Sequence, residues 1–236
     1  MHAVPVPVED VVGDGRWMSQ HQRFLIQAKG REPEVVFIGD SIIQLMRFSS
    51  HYKSFLEPMH CLNFGIGSDQ TQHVLWRIIN GELDCVQPKV IVLEVGTNNH
   101  DHSADQVVGG IMEIVRVTQD KQPSAQLIVM GIPPRGEKPN PVREKIATIN
   151  KDLLKKLSGT PNVTFINIEP SMFINEDGLI SHKDMYDYLH MTDDGYKKFC
   201  EPLQEEIQNL SQNFIKVENI SQDMQSINEV LASDTP

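Results

Sequence analysis

The chain has 236 residues, of which 39% are hydrophobic, and its 21 Lys and Arg stand against 32 Asp and Glu, giving a formal net charge of -11. This length suits one domain with a well-buried core. The acidic balance makes nucleic acid and anionic membrane surfaces poor partners, because both repel a negatively charged surface.

The sequence shows no pattern of export or membrane insertion. Residues 1–10, MHAVPVPVED, have no basic segment ahead of an apolar one, so we do not expect a secretory signal. No run of 18 apolar residues occurs, which predicts no transmembrane segment. The three cysteines, Cys61, Cys85 and Cys200, match no disulfide or zinc spacing and suit a reducing compartment. We therefore expect a cytoplasmic protein.

Short apolar runs alternate with segments of helical periodicity along the chain. The predicted strands are 34–39, 61–65, 89–96, 126–132 and 162–168. The predicted helices between and after them are 70–80, 103–121, 142–157 and 194–211. Three of the strands are almost continuous in Val, Ile and Leu, a pattern typical of parallel strands buried on both faces. The alternation therefore predicts an α/β fold, a three-layer α/β/α sandwich with a five-stranded parallel sheet.

Two further segments complete the domain organisation. The sequence PPRGEKPNP at 133–141 predicts a loop, because proline lacks an amide donor and fixes φ. The end of the chain is polar, with scattered apolar positions and no strong helix terminator. We assign residues 1–212 to one domain and residues 213–236 to a weakly ordered C-terminal tail.

The loops after the strands are the candidates for chemistry, because ligands of open parallel sheets bind outside the carboxyl ends of the strands. Gly39-Asp40-Ser41 follows the first strand. Ser41 is interpreted either as the cap of the next helix or as a nucleophile close to the positive end of that helix. The tripeptide alone favours the cap, so the other loops decide between the two.

Two of these loops carry glycine and asparagine. In NFGIGSD, Gly65 and Gly67 stand where the backbone must approach another group closely or adopt positive φ. In GTNNH, the Asn98 side chain is either a turn former or, together with backbone amides, a donor of an oxyanion hole.

A fourth loop, DMYDYLHMT, brings an acid and a base together late in the chain. Asp187 and His190 are three residues apart, and we predict that one helical turn projects them on the same side. The carboxylate would then orient the imidazole as the base for Ser41.

These loops together resemble the SGNH (GDSL-like) hydrolases, which are named for Ser, Gly, Asn and His. Ser41 in GDS, Asn98 in GTNN, and Asp187 and His190 in DYLH match the blocks of that family. Longer stretches resemble one subfamily, the catalytic α subunits of intracellular platelet-activating factor acetylhydrolase Ib. They read GDGRWMS, EPEVVFIGDSIIQLM, HVLWRIINGEL, VGTNNH, PPRGEKPNP and HKDMYDYLH, and the resemblance runs from about residue 5 to residue 210.

The resemblance implies a flavodoxin-like SGNH hydrolase fold and a serine esterase that needs neither metal nor cofactor. Ser41 would attack the sn-2 acetyl ester of a phospholipid like platelet-activating factor, His190 would act as general base and acid, and Asp187 would fix the His190 tautomer. The backbone amides of Ser41 and Ser68 and the Asn98 side chain would form the oxyanion hole.

The same resemblance implies a pocket and partners. Ile42, Thr97 and Leu189 would shape a small acyl pocket that admits acetyl and excludes long chains. The chain would form a homodimer, or a heterodimer with a sister α subunit, and would bind a seven-bladed WD40 protein, the lissencephaly-type (dynein-regulating) β subunit.

Two positions depart from the subfamily pattern. Ser68 stands where the relatives have the second Gly of Gly-Gly, and a non-glycine residue is strained there if the amide donor needs positive φ. Glu94 replaces an aromatic residue inside the third strand, where a buried carboxylate needs a partner or a raised pKa. The sequence identifies no partner for Glu94.

Two other functions stay open, and the first follows from these departures. One is a catalytically impaired scaffold subunit that dimerises and binds the WD40 protein. The other is an esterase whose substrate is a different short-chain ester, such as an acetylated sugar.

Overall fold

A computed structural model describes residues 4–212 of the chain, and its centre is a single five-stranded sheet. The strands are β1 (Val35–Gly39), β2 (Leu62–Gly65), β3 (Val90–Glu94), β4 (Gln126–Met130) and β5 (Val163–Ile166). Their order in space is β2-β1-β3-β4-β5, and every neighbouring pair is parallel. The predicted parallel sheet is therefore confirmed.

Helices connect and cover these strands. They are α1 (Arg16–Lys29), α2 (Ser41–Met46), α3 (Thr71–Arg77), α4 (Ala104–Lys121), α5 (Pro141–Leu157) and α6 (193–212). Short turns of helix occur at Tyr52–Leu56, Glu57–Met59, Ile78–Glu82 and Pro170–Met172. Helix α1 was not among the predicted elements. It buries only His21, Phe24 and Ala28, and most of its other side chains are polar.

Alternate side chains of the strands point into two separate apolar layers. On β1, Val36 and Ile38 pack with α1, α3, α4 and α5, whereas Val35 and Phe37 pack with α2 and α6. A strand whose two faces are both covered has no polar side, which explains the continuous apolar runs in the sequence. The three-layer α/β/α sandwich is confirmed.

The order of the strands fixes where a site can form. The chain leaves β1 into α2 on one face of the sheet and leaves β3, the neighbour of β1, into α4 on the opposite face. The two connections diverge and open a crevice at the carboxyl ends of β1 and β3. The GDS and GTNN loops border this crevice.

Two further predictions concern membrane-spanning helices and the C-terminal tail. Within residues 4–212, no helix is long and apolar enough to cross a bilayer. The predicted tail, residues 213–236, lies outside the described residues.

Candidate active site

Ser41 is the first residue of α2, directly after β1. Asp40 precedes it as the N-cap, and its Oδ1 accepts a hydrogen bond from the Ile42 amide at 2.9 Å. The Ser41 amide belongs to the first helical turn, where N–H groups have no acceptor within the helix. Gly39 allows this tight connection, because a Cβ on Gly39 would lie 2.0 Å from the backbone oxygen of Glu94. Ser41 is thus presented at a helix N-terminus with its own amide free.

A chain of contacts joins Ser41 to the late loop. His190 Nε2 lies 3.0 Å from Ser41 Oγ, and His190 Nδ1 lies 2.6 Å from Asp187 Oδ2. Partial burial opposes ionisation of Asp187, but the hydrogen bonds from the His190 side chain and amide outweigh it and hold the pKa of Asp187 below its ordinary value. The imidazole is therefore held between a hydroxyl and an ionised carboxylate.

The helical turn predicted for Asp187 and His190 is wrong. The loop is a turn closed by an antiparallel bridge between Met185 and Met191, and Tyr188 within it has φ of 61°. Asp187 Oδ1 accepts the His190 amide at 2.6 Å, and a side chain that takes up a nearby backbone donor in this way competes with helix formation. The acid and base still meet, through a turn instead of a helix.

The loop after β2 approaches Ser41 from another side. The Asp69 amide donates to the Ile66 carbonyl at 3.3 Å, which closes a β-turn, and Ser68 occupies it with φ of 68°. Gln44 Oε1, on α2, accepts the Gly67 amide at 3.1 Å, and a Cβ on Gly67 would lie 3.9 Å from Ser41 Cβ. Ser68 thus adopts the left-handed conformation that favours glycine.

Asn98, after β3, is oriented by two oxygens. Its Nδ2 donates to the Asp69 carbonyl at 3.0 Å and lies 3.5 Å from Asp40 Oδ2. The Asn98 amide group therefore links the loops that follow β1, β2 and β3. The structure brings Ser41, Ser68 and Asn98 to the same end of the sheet.

A buried polar network holds the Ser68 turn, and the sequence did not reveal it. Asp69 Oδ1 accepts from Trp17 Nε1 at 2.7 Å, and Asp69 Oδ2 accepts from Arg77 Nε at 2.8 Å. Arg77 also bonds Glu82, which contacts His21 at 3.0 Å. Burial raises the pKa of Asp69 to about 6 although Arg77 opposes the change. The one signal in the sequence was an arginine within the apolar helix HVLWRII.

The three residues of the predicted acyl pocket differ in their surroundings. Ile42 is fully buried and Leu189 is half-buried, and both pack in the apolar layer of α2 and α6. Thr97 is buried and instead contacts Arg135, whose Nη1 donates to the Thr97 carbonyl at 3.0 Å. The structure thus joins Ile42 and Leu189 in one cluster and pairs Thr97 with a cation.

Glu94 at the end of β3 is completely buried, and its side chain contacts Asp40. The sequence offered no partner for this carboxyl, because Asp40 lies on a different strand end.

Across residues 4–212, no group of three or more His, Cys, Asp or Glu side chains is arranged to hold a metal ion.

The sequence of this chain is similar to those of known proteins. The profile of the GDSL-like Lipase/Acylhydrolase family matches residues 37–198. Platelet-activating factor acetylhydrolase IB subunit alpha1 of Homo sapiens is 52% identical over 199 residues, which are 84% of this chain and 86% of that protein. Subunit alpha2 of Mus musculus is 50% identical over 208 residues, 88% of this chain and 90% of that protein.

Solved structures agree on the fold. The crystal structure of a GDSL-like lipase from Bacteroides thetaiotaomicron superimposes with a TM-score of 0.68 at 18% identity, over 80% of this chain and 97% of the other. The profile match spans more than half of the chain, and the alpha subunits match it nearly end to end. The chain therefore belongs to the GDSL-like lipase/acylhydrolase family of hydrolases, as a relative of the platelet-activating factor acetylhydrolase IB alpha subunits.

Proposed function

We propose that this chain is a serine esterase that removes the acetyl group from the sn-2 position of phospholipids like platelet-activating factor. The observation that carries the proposal is the run of contacts from Ser41 through His190 to Asp187, at 3.0 Å and 2.6 Å. A hydroxyl, an imidazole and a carboxylate in this order form the arrangement that activates a serine nucleophile. The names of the alpha1 and alpha2 relatives supply the substrate class.

The reaction proceeds through an acetyl-enzyme. Ser41 Oγ bonds to the acetyl carbonyl carbon while its proton passes to His190 Nε2. The tetrahedral adduct collapses, and His190 returns the proton to the departing glycerol oxygen. Water then attacks the acetyl-enzyme, His190 takes the proton of the water, and acetate leaves as that proton returns to Ser41 Oγ. Asp187 stabilises the imidazolium in both halves.

The oxyanion of each adduct requires donors already in place. The Ser41 amide, at the start of α2, and the Ser68 amide, in its turn, have no protein acceptor among the contacts of residues 4–212. Asn98 Nδ2 would supply the third bond with the N–H that is not held by the Asp69 carbonyl, since its contact with Asp40 Oδ2 is long at 3.5 Å. Loss of one such donor costs about 10²-fold or more in rate. The ordered turn at Ser68 and the contact between Ser41 and His190 do not favour the impaired-scaffold alternative.

The size of the acyl group would be set by Ile42, Thr97 and Leu189. Two of these side chains are buried, and the third is half-buried against α2. Branched side chains close to the nucleophile would leave room for a methyl group and restrict longer chains. We propose rates that decrease from acetyl to butyryl to longer esters.

Partners and location belong to the same proposal. The relatives are named as subunits, which supports assembly of this chain into a homodimer, or into a heterodimer with a sister alpha subunit. The WD40 lissencephaly-type β subunit would bind that dimer in the cytoplasm. Residues 1–212 would form the domain that carries these contacts. Pulldown of the WD40 protein by the Ser41→Ala variant separates assembly from catalysis.

Labelling with a fluorophosphonate probe tests the nucleophile. The wild-type protein should be labelled, Ser41→Ala should not, and Ser124→Ala, which removes an exposed hydroxyl from another turn, should be labelled like the wild type. Labelling that persists in Ser41→Ala would refute the assignment. Hydrolysis of a 2-acetyl ether phospholipid should then exceed hydrolysis of an acetylated sugar, and the reverse ranking would refute the substrate class.

A further inference from the structure

Glu94 is a buried acid that the proposed mechanism does not use. It is the last residue of β3, pairs with Gly39 in the sheet and is fully shielded from solvent. Gly39 is followed at once by Asp40, the cap of α2. The Glu94 side chain therefore lies next to Asp40, the residue that caps the helix of the nucleophile.

The hydrogen bonds of Glu94 are incomplete if both acids are ionised. Neither Glu94 oxygen meets a donor from residues 4–212, and the polar side chain in contact with it is that of Asp40. Two carboxylates repel each other, whereas a carboxyl group that keeps its proton can donate it to the other. A buried, unpaired charge is costly in such a place. One proton shared between Glu94 and Asp40 removes the repulsion between the two carboxylates and supplies the missing hydrogen bond.

None of the other titratable groups around the pair donates a hydrogen bond to Glu94 among residues 4–212. They are Asp69 from the loop after β2, Tyr196 from α6 and Arg135 from the loop after β4. Asp69 is a further acid, Tyr196 donates its hydroxyl proton to the Ile42 carbonyl, and Arg135 donates to Thr97. Burial, more than any neighbouring charge, raises the pKa of Glu94 well above 4.5 and that of Asp40 to about 7.

Asp40 connects this pair to the reacting groups. Its Oδ1 accepts the Ile42 amide at 2.9 Å, and its Oδ2 lies 3.5 Å from Asn98 Nδ2. A shift of the Asp40 side chain would therefore disturb both the first turn of α2 and the Asn98 amide.

We propose that Glu94 is a positioning residue that keeps its proton at neutral pH and donates it to Asp40, so that Asp40 holds Ser41 and Asn98 in place. This role rests on the proposed function of Ser41 as nucleophile.

Two variants of similar volume separate donation from packing. Glu94→Gln keeps a neutral donor, whereas Glu94→Met fills the space without one. We expect kcat of Glu94→Gln to stay within about twofold of the wild type and kcat of Glu94→Met to fall about tenfold with KM little changed, the effect of one lost hydrogen bond on Ser41 placement. Equal kcat values for Gln and Met would overturn the positioning role, because a purely structural contribution would not follow donor capacity.

The protonation itself has a readout that does not involve activity. In protein labelled with ¹³C at the Glu carboxyl carbons, the Glu94 resonance is identified by its absence from Glu94→Gln. It should not titrate between pH 4 and pH 7. A Glu94 resonance that titrates near 4.5 would overturn the proposal even if Ser41 is the nucleophile. Absence of Ser41 labelling, in contrast, would refute the proposed function and leave this titration unchanged.

Discussion

Replacing Glu94 by Gln should change how the free energy of unfolding depends on pH. In the folded protein burial raises the pKa of Glu94 well above 4.5, whereas in the unfolded chain the side chain regains its ordinary value. Above pH 4.5 the unfolded chain has therefore lost this proton and the folded protein has kept it. Folding stability from this group is fully present below pH 4.5 and is lost as the pH rises toward the folded pKa.

The magnitude follows from the proton count. A difference of one bound proton lowers the free energy of unfolding by about 1.4 kcal/mol for each pH unit. Between pH 5.5 and pH 7.5 the Glu94 contribution should thus fall by up to about 3 kcal/mol in the wild type, the full amount if folded Glu94 keeps its proton throughout, and by nothing in Glu94→Gln. Asp40, whose pKa is about 7, contributes a decrease of the same sign in both proteins. The free energy of unfolding of Glu94→Gln relative to that of the wild type should therefore rise with pH, by up to about 3 kcal/mol over this range.

Urea unfolding of the full chain at pH 5.5, 6.5 and 7.5, followed by tryptophan fluorescence, measures this difference. Glu205→Gln, which changes an exposed glutamate on α6, is the matched control and should give a curve parallel to that of the wild type. If the curves for Glu94→Gln and wild type are also parallel, Glu94 is ionised alike in the folded and unfolded states. A raised pKa of Glu94 in the folded protein would then be refuted.

Three further changes test the site. Ser68→Gly should stabilise the protein by about 0.5 to 1 kcal/mol, because the strain relieved at a left-handed serine exceeds the entropy that glycine adds to the unfolded chain. Ser124→Gly, at negative φ, is the control and should not stabilise the protein. Equal urea midpoints for Ser68→Gly and the wild type would contradict this. Trp17→Phe removes the donor to Asp69 and should lower the free energy of unfolding in urea by about 2 kcal/mol. An unchanged urea midpoint would show that this hydrogen bond does not stabilise the fold. Asp187→Asn should reduce kcat roughly 10³- to 10⁴-fold with little change in stability, and a loss below tenfold would show that the imidazole orients without the carboxylate.

The fold could be read from the sequence because its strongest signal is repeated. Five apolar runs separated by helical segments leave few arrangements other than a covered parallel sheet, and residues such as Val36 and Phe37 show why both strand faces had to be apolar. Helix α1 was not predicted, although its buried residues His21, Phe24 and Ala28 follow a helical spacing. The order of the strands came from the structure, since local patterns do not specify which strands are neighbours.

The candidate site divides in a similar way. Ser41, Asn98, Asp187 and His190 were identified because each stands at the end of an apolar run or in a recognisable motif. The buried network of Arg77 was not identified, because its ion pairs join segments that only the folded chain brings together. The helical turn expected from the Asp-x-x-His spacing was wrong for a local reason, since spacing does not show that a side chain will take the backbone donors of its own turn.

Glu94 shows how a local violation can report on a site. A carboxyl in a continuous apolar strand has an energetic cost that sequence reasoning can detect, although the partner that offsets it cannot be found there. The structure places that partner, Asp40, between the strand and the helix of Ser41. The same acid thus caps the helix through the Ile42 amide and lies against Glu94 on its other side. A shared proton makes these two roles compatible, because an ionised Asp40 can accept both bonds while Glu94 remains neutral.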